Sequence, residues 1–315
     1  MSSMIRVQNL TKYYGERLAV DNISFNIDKG EIVGLLGPNA AGKTTTMRIL
    51  TGFLMPTKGD AFIADHNMAT DSLEGRRHIG YMPESIPLYT DMKVRDYLEF
   101  FGRIRGMDAN ETHTRINEVV QTCHLEEYID VIIAKLSRGF RQRVGIAQSI
   151  IHNPDVLILD EPTIGIDPIQ VAQTRNLIKE LGKDHTVLIS THILPEVSII
   201  CERVIIIHHG KIVAEDNIEN LSAVLRGGRR IRVEVKGPAD KIAIALRRVP
   251  GVRRVTREGD FFVVESPAEI DPRARINETM IKSGWTLLSA ESVEMSLEEI
   301  FLQLTTKEEK EEPQQ

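Results

Sequence analysis

Residues Gly37, Pro38, Asn39, Ala40, Ala41, Gly42, Lys43, Thr44 and Thr45 constrain this chain more than any other segment. They fit the pattern Gly-x-x-x-x-Gly-Lys-[Ser/Thr], and the flanks suit it on both sides. Glu31 to Leu36 reads as a buried strand following a turn at Lys29 and Gly30, and Thr46 to Leu50 continues a helix that stops near Gly52. A loop of small residues between a strand and a helix lets backbone N–H groups turn inward around a phosphate, and the helix dipole adds positive potential there. Lys43 is then placed to reach β- and γ-phosphates, and the Thr44 hydroxyl to ligate Mg²⁺. The segment predicts nucleoside triphosphate binding on a P-loop α/β fold.

At 315 residues the chain suits two domains, because single cores stop growing near roughly 250–300 residues. Its hydrophobic share of 42% and charged share of 27% are those of a globular protein. No apolar run approaches the roughly 18–20 residues that span a bilayer, and Met1 to Arg6 lacks the layout of a signal peptide. Cys123 and Cys201 stand far apart, outside any metal-ligand spacing, and read as core thiols of a reducing compartment. A net charge of −6 argues against general nucleic-acid binding. Residues 226–257 are locally basic, with 11 Lys or Arg against 2 acids, which reads as a solvated face.

Residues 4–225 alternate strands and helices, with β segments at Ile5–Leu10 and Leu18–Ile27 ahead of the phosphate loop. Apolar residues at helical spacing within Val94–Ile104 and Ile116–Cys123 predict a helical insertion over about residues 86–151. Strands return at Val156–Leu159, Val187–Ser190 and Val204–His208. Residues 225–230 read as a linker. Beyond them, residues 226–306 predict a small ferredoxin-like α/β domain in β-α-β-β-α-β order, with a helix start at Asp271-Pro272 and a capping box at Ser296 and Glu299. Residues 307–315 are too polar to bury and are expected to be a disordered tail.

A triphosphate site also needs a carboxylate for the metal and a group to orient water. Val156 to Leu159 is a strand ending in Asp160 and Glu161, and open α/β sheets bind ligands at such ends. Asp160 is placed to hold the Mg²⁺ shell and Glu161 to act as general base toward water. Ser137, Arg138 and Gly139 open a helix whose free N–H groups suit an anion.

In this order the segments resemble an ATPase subunit of an ATP-binding cassette (ABC) transporter over about residues 4–220. Residues 37–45 resemble the Walker A loop, Asp160 and Glu161 the Walker B acids, and residues 136–139 the signature motif. Asp167 falls in a segment similar to the D-loop, and His192 in one similar to the switch histidine, which implies contact with the γ-phosphate. Tyr14 matches the aromatic that stacks on adenine, with Tyr13 as a rival. Three positions depart from the family pattern. Ala40 stands where most members have glycine, Glu84 stands at the Q-loop glutamine and is placed in the metal shell, and Phe140 replaces the glutamine ending the common signature. The combination resembles a branch that includes gliding-motility and multidrug export systems.

The resemblance implies ATP and Mg²⁺ as cofactors and a head-to-tail dimer, with itself or a paired ATPase subunit. Each ATP would lie between one chain's Walker A loop and the other's signature. It also implies a separate multi-spanning membrane permease, docked through the segment around Glu84–Val94, and a peripheral place on the cytoplasmic face of the inner or plasma membrane. The alternative is a soluble ABC ATPase with a non-transport or regulatory role.

Overall fold

The computed structural model describes residues 3–217, 229–259, 261–267 and 270–292. The chain divides into two compact units, Met1–Asp216 and Asn217–Gln315. In the first, β1 (Ser3–Tyr14), β2 (Arg17–Asp28), β4 (Lys58–Ile63) and β5 (His66–Asn67) form a sheet in the order β2-β1-β4-β5. The first two strands outrun their apolar stretches because the ladder continues to the hairpin, where Tyr14 pairs with Arg17.

A second, six-stranded sheet runs in the order β10-β9-β3-β8-β7-β6. Its members are β3 (Ile32–Leu36), β6 (Ile79–Met82), β7 (Val156–Asp160), β8 (Thr186–Thr191), β9 (Arg203–His208) and β10 (Lys211–Asn217). The neighbours from β9 to β6 pair in parallel. Every residue of β7 and β8 is buried, as expected of a parallel sheet covered on both faces. Helix α1 (Lys43–Leu50) touches β2 and β4 of the first sheet and β7 of the second. Its Met47, Ile49 and Leu50 therefore share one core with Ile5, Leu10 and Ile27 on one side and Ile158 and Ile205 on the other.

Helix α2 (Ser72–Arg77) lies ahead of β6. The insertion contains α3 (Val94–Ile104), α4 (Ala109–Thr122) and α5 (Arg138–Ile150). Asp108 caps α4, accepting from the Asn110 and Glu111 N–H groups. Helix α6 (Pro168–Leu181) links β7 to β8, and α7 (Leu194–Ile200) links β8 to β9.

The second unit contains β11 (Arg229–Lys236), α8 (Ala239–Arg247), β12 (Arg254–Glu258), β13 (Phe261–Ser266), α9 (Arg273–Lys282) and β14 (Thr286–Ser292). Its sheet has the order β12-β13-β11-β14 with antiparallel neighbours. Alternate residues Ile231, Val233 and Val235 face Ile242, Leu246, Ile276 and Met280 of the two helices. Two details correct the sequence expectation. Arg229 and Arg230 belong to β11 rather than to a linker, because they continue the ladder opposite Ser266 and Glu265, and Arg230 pairs with the Glu265 carboxylate at 2.9 Å. Helix α9 runs from Arg273 with Pro272 as its N-cap residue, one position later than expected, and Asp271 Oδ1 accepts the Arg273 N–H at 3.1 Å. Residues 218–228, the capping box at Ser296 and Glu299, and residues 307–315 lie outside the described residues.

Candidate functional site

The loops that follow β3, β6, β7 and β8 leave the carboxyl ends of adjacent parallel strands, so the phosphate loop, Glu84, Asp160 with Glu161, and His192 emerge along one sheet edge. This is where open α/β sheets hold ligands. Gly42 N-caps α1 at φ 111°, and a Cβ there would fall 2.7 Å from the Ala19 carbonyl oxygen, so glycine is required on two counts. Ala40 also has a left-handed backbone, at φ 65°.

A cleft of about 390 Å³ opens over this loop. It is lined by Pro38, Asn39, Ala40, Ala41, Gly42, Lys43, Thr44 and Thr45, and by Tyr14, Arg17, Ala19, Glu84, Glu161 and Ile164. Gly37 does not line it, and a Cβ there would meet the Ile207 carbonyl oxygen at 2.3 Å. Tyr14 lines the cleft whereas Tyr13 does not, and the Tyr13 N–H donates to Thr57 Oγ1 at 3.0 Å. Arg17 and Ala19 were not signalled by any sequence motif, whereas Ile164 belongs to the segment similar to the D-loop. Arg17 follows from the hairpin register, since it is the cross-strand partner of Tyr14.

The charged groups form a linked set, of which Lys43 and Glu161 line the cleft and Asp160 and His192 do not. Lys43 is buried, and its Nζ donates to the Gly37 and Pro38 carbonyl oxygens at 2.6 and 3.1 Å. The same ammonium stands 3.4 Å from Glu161 Oε1, while Glu161 Oε2 lies 2.9 Å from His192 Nδ1. Asp160 is buried, and desolvation pushes its carboxyl above the usual range, opposed first by the hydrogen bond from the Ser190 hydroxyl and then by the nearby Thr44 hydroxyl. Its Oδ1 accepts from Ser190 Oγ, but its buried Oδ2 has no hydrogen-bond partner. A buried carboxylate oxygen left open beside a threonine hydroxyl is a donor set that fits a hard divalent cation. Tyr81, whose phenol is pushed up to about 12 by burial and then by the Asp160 charge, stays neutral behind it.

None of Ser137, Arg138 and Gly139 lines this cleft. Ser137 N-caps α5 and accepts the Phe140 N–H at 3.4 Å. Gln142, one turn on, donates to the Pro162 carbonyl oxygen at 2.8 Å, which ties the signature helix to the segment after Glu161. Arg138 lies against Gly165, where φ is 69° and a Cβ would fall 2.5 Å from the guanidinium carbon. Asp167 caps α6, accepting from the Ile169 and Gln170 N–H groups at 3.0 and 3.1 Å. Phe140 packs on Tyr128, with ring centroids 4.0 Å apart.

Residues 20–164 match the family model described as ABC transporter. The chain is 33% identical over 315 residues to the linearmycin resistance ATP-binding protein LnrL of Bacillus subtilis (strain 168), covering 96% of this chain and 98% of that protein. The chain belongs to the ABC transporter ATP-binding family. The bacitracin transport ATP-binding protein BcrA of Bacillus licheniformis is 32% identical over 308 residues, covering 96% of this chain and 98% of its own. Among solved structures, the dimeric bacterial ABC transporter cassette MJ0796 superposes with a TM-score of 0.63 at 28% identity, covering 68% of this chain and 99% of that one. The protein is thus an ABC cassette ATPase, the ATP-binding subunit of a transporter. Cassettes of this family dimerise and work with membrane permeases. Among the described residues, no helix of this ABC protein is long and apolar enough to cross a membrane.

Proposed function

We propose that the cleft holds MgATP, with Tyr14 against the adenine, the residue 37–45 loop around the phosphates, and Glu161 as general base. The observation that carries this reading is the run from Lys43 through Glu161 to His192, at 3.4 and 2.9 Å, beside the open Oδ2 of Asp160. Lys43 would exchange its loop carbonyls for phosphate oxygens, a stronger charge-assisted contact. Glu161 would then take the proton of the attacking water, with His192 holding the carboxylate's other oxygen and contacting the γ-phosphate. Asp160, Thr44 and Glu84 would hold Mg²⁺, which when bound neutralises developing phosphate charge.

Ser137, Arg138 and Gly139 would serve the nucleotide of a second cassette, since they lie away from their own chain's cleft. Closing and reopening of that head-to-tail pair would drive a separate permease at the cytoplasmic face of the membrane. The names of LnrL, a resistance protein, and of the Nod factor export protein of Ralstonia nicotianae support export as the direction.

Glu161→Gln is the direct test. Purified variant should bind ATP and accumulate as an ATP-bound dimer on size exclusion, with hydrolysis slowed by roughly 10²–10⁴-fold. Near-normal turnover would remove Glu161 from the base role.

A further inference from the structure

Ser190 has no part in the roles assigned above, yet its hydroxyl touches both acids of the site. It is the register partner of Asp160 across the parallel β7–β8 pair, and it is fully buried. Ser190 Oγ donates to Asp160 Oδ1 and accepts the Glu161 N–H at 3.1 Å. The Ser190 carbonyl oxygen accepts the same N–H at 3.2 Å.

Both contacts matter for geometry. Glu161 stands at φ 49°, a left-handed conformation that costs a non-glycine residue roughly 1–2 kcal/mol and persists only when its surroundings hold it. Asp160 has two oxygens, and the one that Ser190 engages is Oδ1, which leaves Oδ2 as the open one. The next hydroxyl along the strand cannot take over. Thr191 Oγ1 is directed to the Glu196 carboxylate at 3.3 Å and accepts the Ile193 N–H at 3.0 Å.

We propose that Ser190 is a positioning residue for both acids: its hydroxyl turns Asp160 so that Oδ2 faces the divalent cation, and it pins the Glu161 backbone so that the carboxylate stands between Lys43 and His192. The proposal rests on the reading of Asp160 as part of the Mg²⁺ shell. An alanine at 190 would leave Asp160 Oδ1 without its donor and the Glu161 N–H with the carbonyl alone. Removing such a supporting hydrogen bond typically lowers metal affinity by about 10–100-fold.

The test measures binding rather than turnover. ATP is titrated calorimetrically into full-length protein carrying Glu161→Gln, once with Mg²⁺ and once with EDTA. The ratio of the two affinities is the metal's contribution. Ser190→Ala should cut that ratio by about 10-fold while leaving affinity in EDTA unchanged, and Ser190→Thr, which keeps the hydroxyl, should restore it. With Glu161 intact, Ser190→Ala should lower kcat at saturating Mg²⁺ more than it raises the KM for ATP. Asp160→Asn separates the two layers of the argument. If Asp160→Asn leaves the ratio intact, the metal-shell reading falls and the proposal with it. If Asp160→Asn lowers the ratio and Ser190→Ala does not, Ser190 has no positioning role. An equal loss of affinity with Mg²⁺ and with EDTA, or no recovery by Ser190→Thr in a chain that unfolds at the parent's temperature, also overturns the proposal.

Discussion

At the scale of single residues, the site tolerates strain and the scaffold tolerates an awkward histidine. Ala40 and Glu161 both hold left-handed backbones, at φ 65° and 49°. An ordinary loop would often give such positions to glycine or asparagine, so surrounding contacts must hold the chain at both. His152 illustrates a different tension. Its Nε2 lies 3.0 Å from the Ile79 carbonyl oxygen, its Nδ1 is buried without a partner, and burial followed by the nearby Arg105 charge holds its pKa down to about 4. The native imidazole is therefore neutral, whereas the unfolded one titrates at its ordinary 6.5. Between those values the unfolded state binds the extra proton, so stability falls as pH drops from 6.5 toward 4 and is unaffected by this group above 6.5. The full effect is up to about 3 kcal/mol. His152→Gln keeps a donor for Ile79 and removes the titration. Denaturant unfolding of the two proteins at neutral and acid pH should show the variant losing less stability on acidification, and parallel losses would exclude His152 as a source.

At the scale of elements, helix ends decide where the motifs sit. Ser137 and Asp167 each start a helix by accepting backbone N–H groups, so residues assigned to nucleotide contact are also local caps. For Asp167 the two roles separate by substitution. Asp167→Ala should lower unfolding free energy by about 1 kcal/mol, while Asp167→Asn, an equally good cap, should leave it nearly unchanged. Thermal or urea melts of the two variants check this, and an equal loss in both would mean that the charge rather than the cap stabilises α6. Buried Glu196 of α7 accepts from Thr163 and Thr191, which joins the segment after Glu161 to the one before His192. The two loops are thereby built as one unit.

At the scale of the molecule, the arrangement of motifs makes demands on assembly. If each ATP lies between one chain's phosphate loop and another's signature, Lys43→Ala and Ser137→Arg damage opposite halves of a site. Either homodimer then has two damaged sites, whereas a mixed dimer gathers both lesions in one and leaves the other whole. Differently tagged chains purified as mixed dimers should recover Mg²⁺-dependent ATP capture at that single site, and capture no better than in either homodimer would sink the composite arrangement. The division of the chain at Asp216 and Asn217 makes a second demand. A chain ending at Arg226, beyond the close of β10 at Asn217, should stay folded and bind ATP, because each unit has its own core. Insoluble or non-binding protein from that truncation would show that the first unit depends on the second.

The phosphate loop and the acids ending β7 were legible as local patterns, small residues before a helix and a buried apolar run closing in carboxylates, whereas His192 was singled out only by its resemblance to the switch histidine segment. Periodicity located α3 to the residue, and alternation found the strands of the second unit. What the sequence could not decide is anything that depends on strand order. β8 lies between β3 and β7 in the sheet although it follows both in the chain, and only that placement sets Ser190 beside Asp160 and brings Glu161 within reach of Lys43 and His192. The pairing of Tyr14 rather than Tyr13 with the cleft likewise waits on the hairpin register, because neighbouring strand residues face opposite sides and a one-residue slip would exchange them. Local chemistry determined which residues this protein uses; the parallel register of its central sheet decided which of them meet.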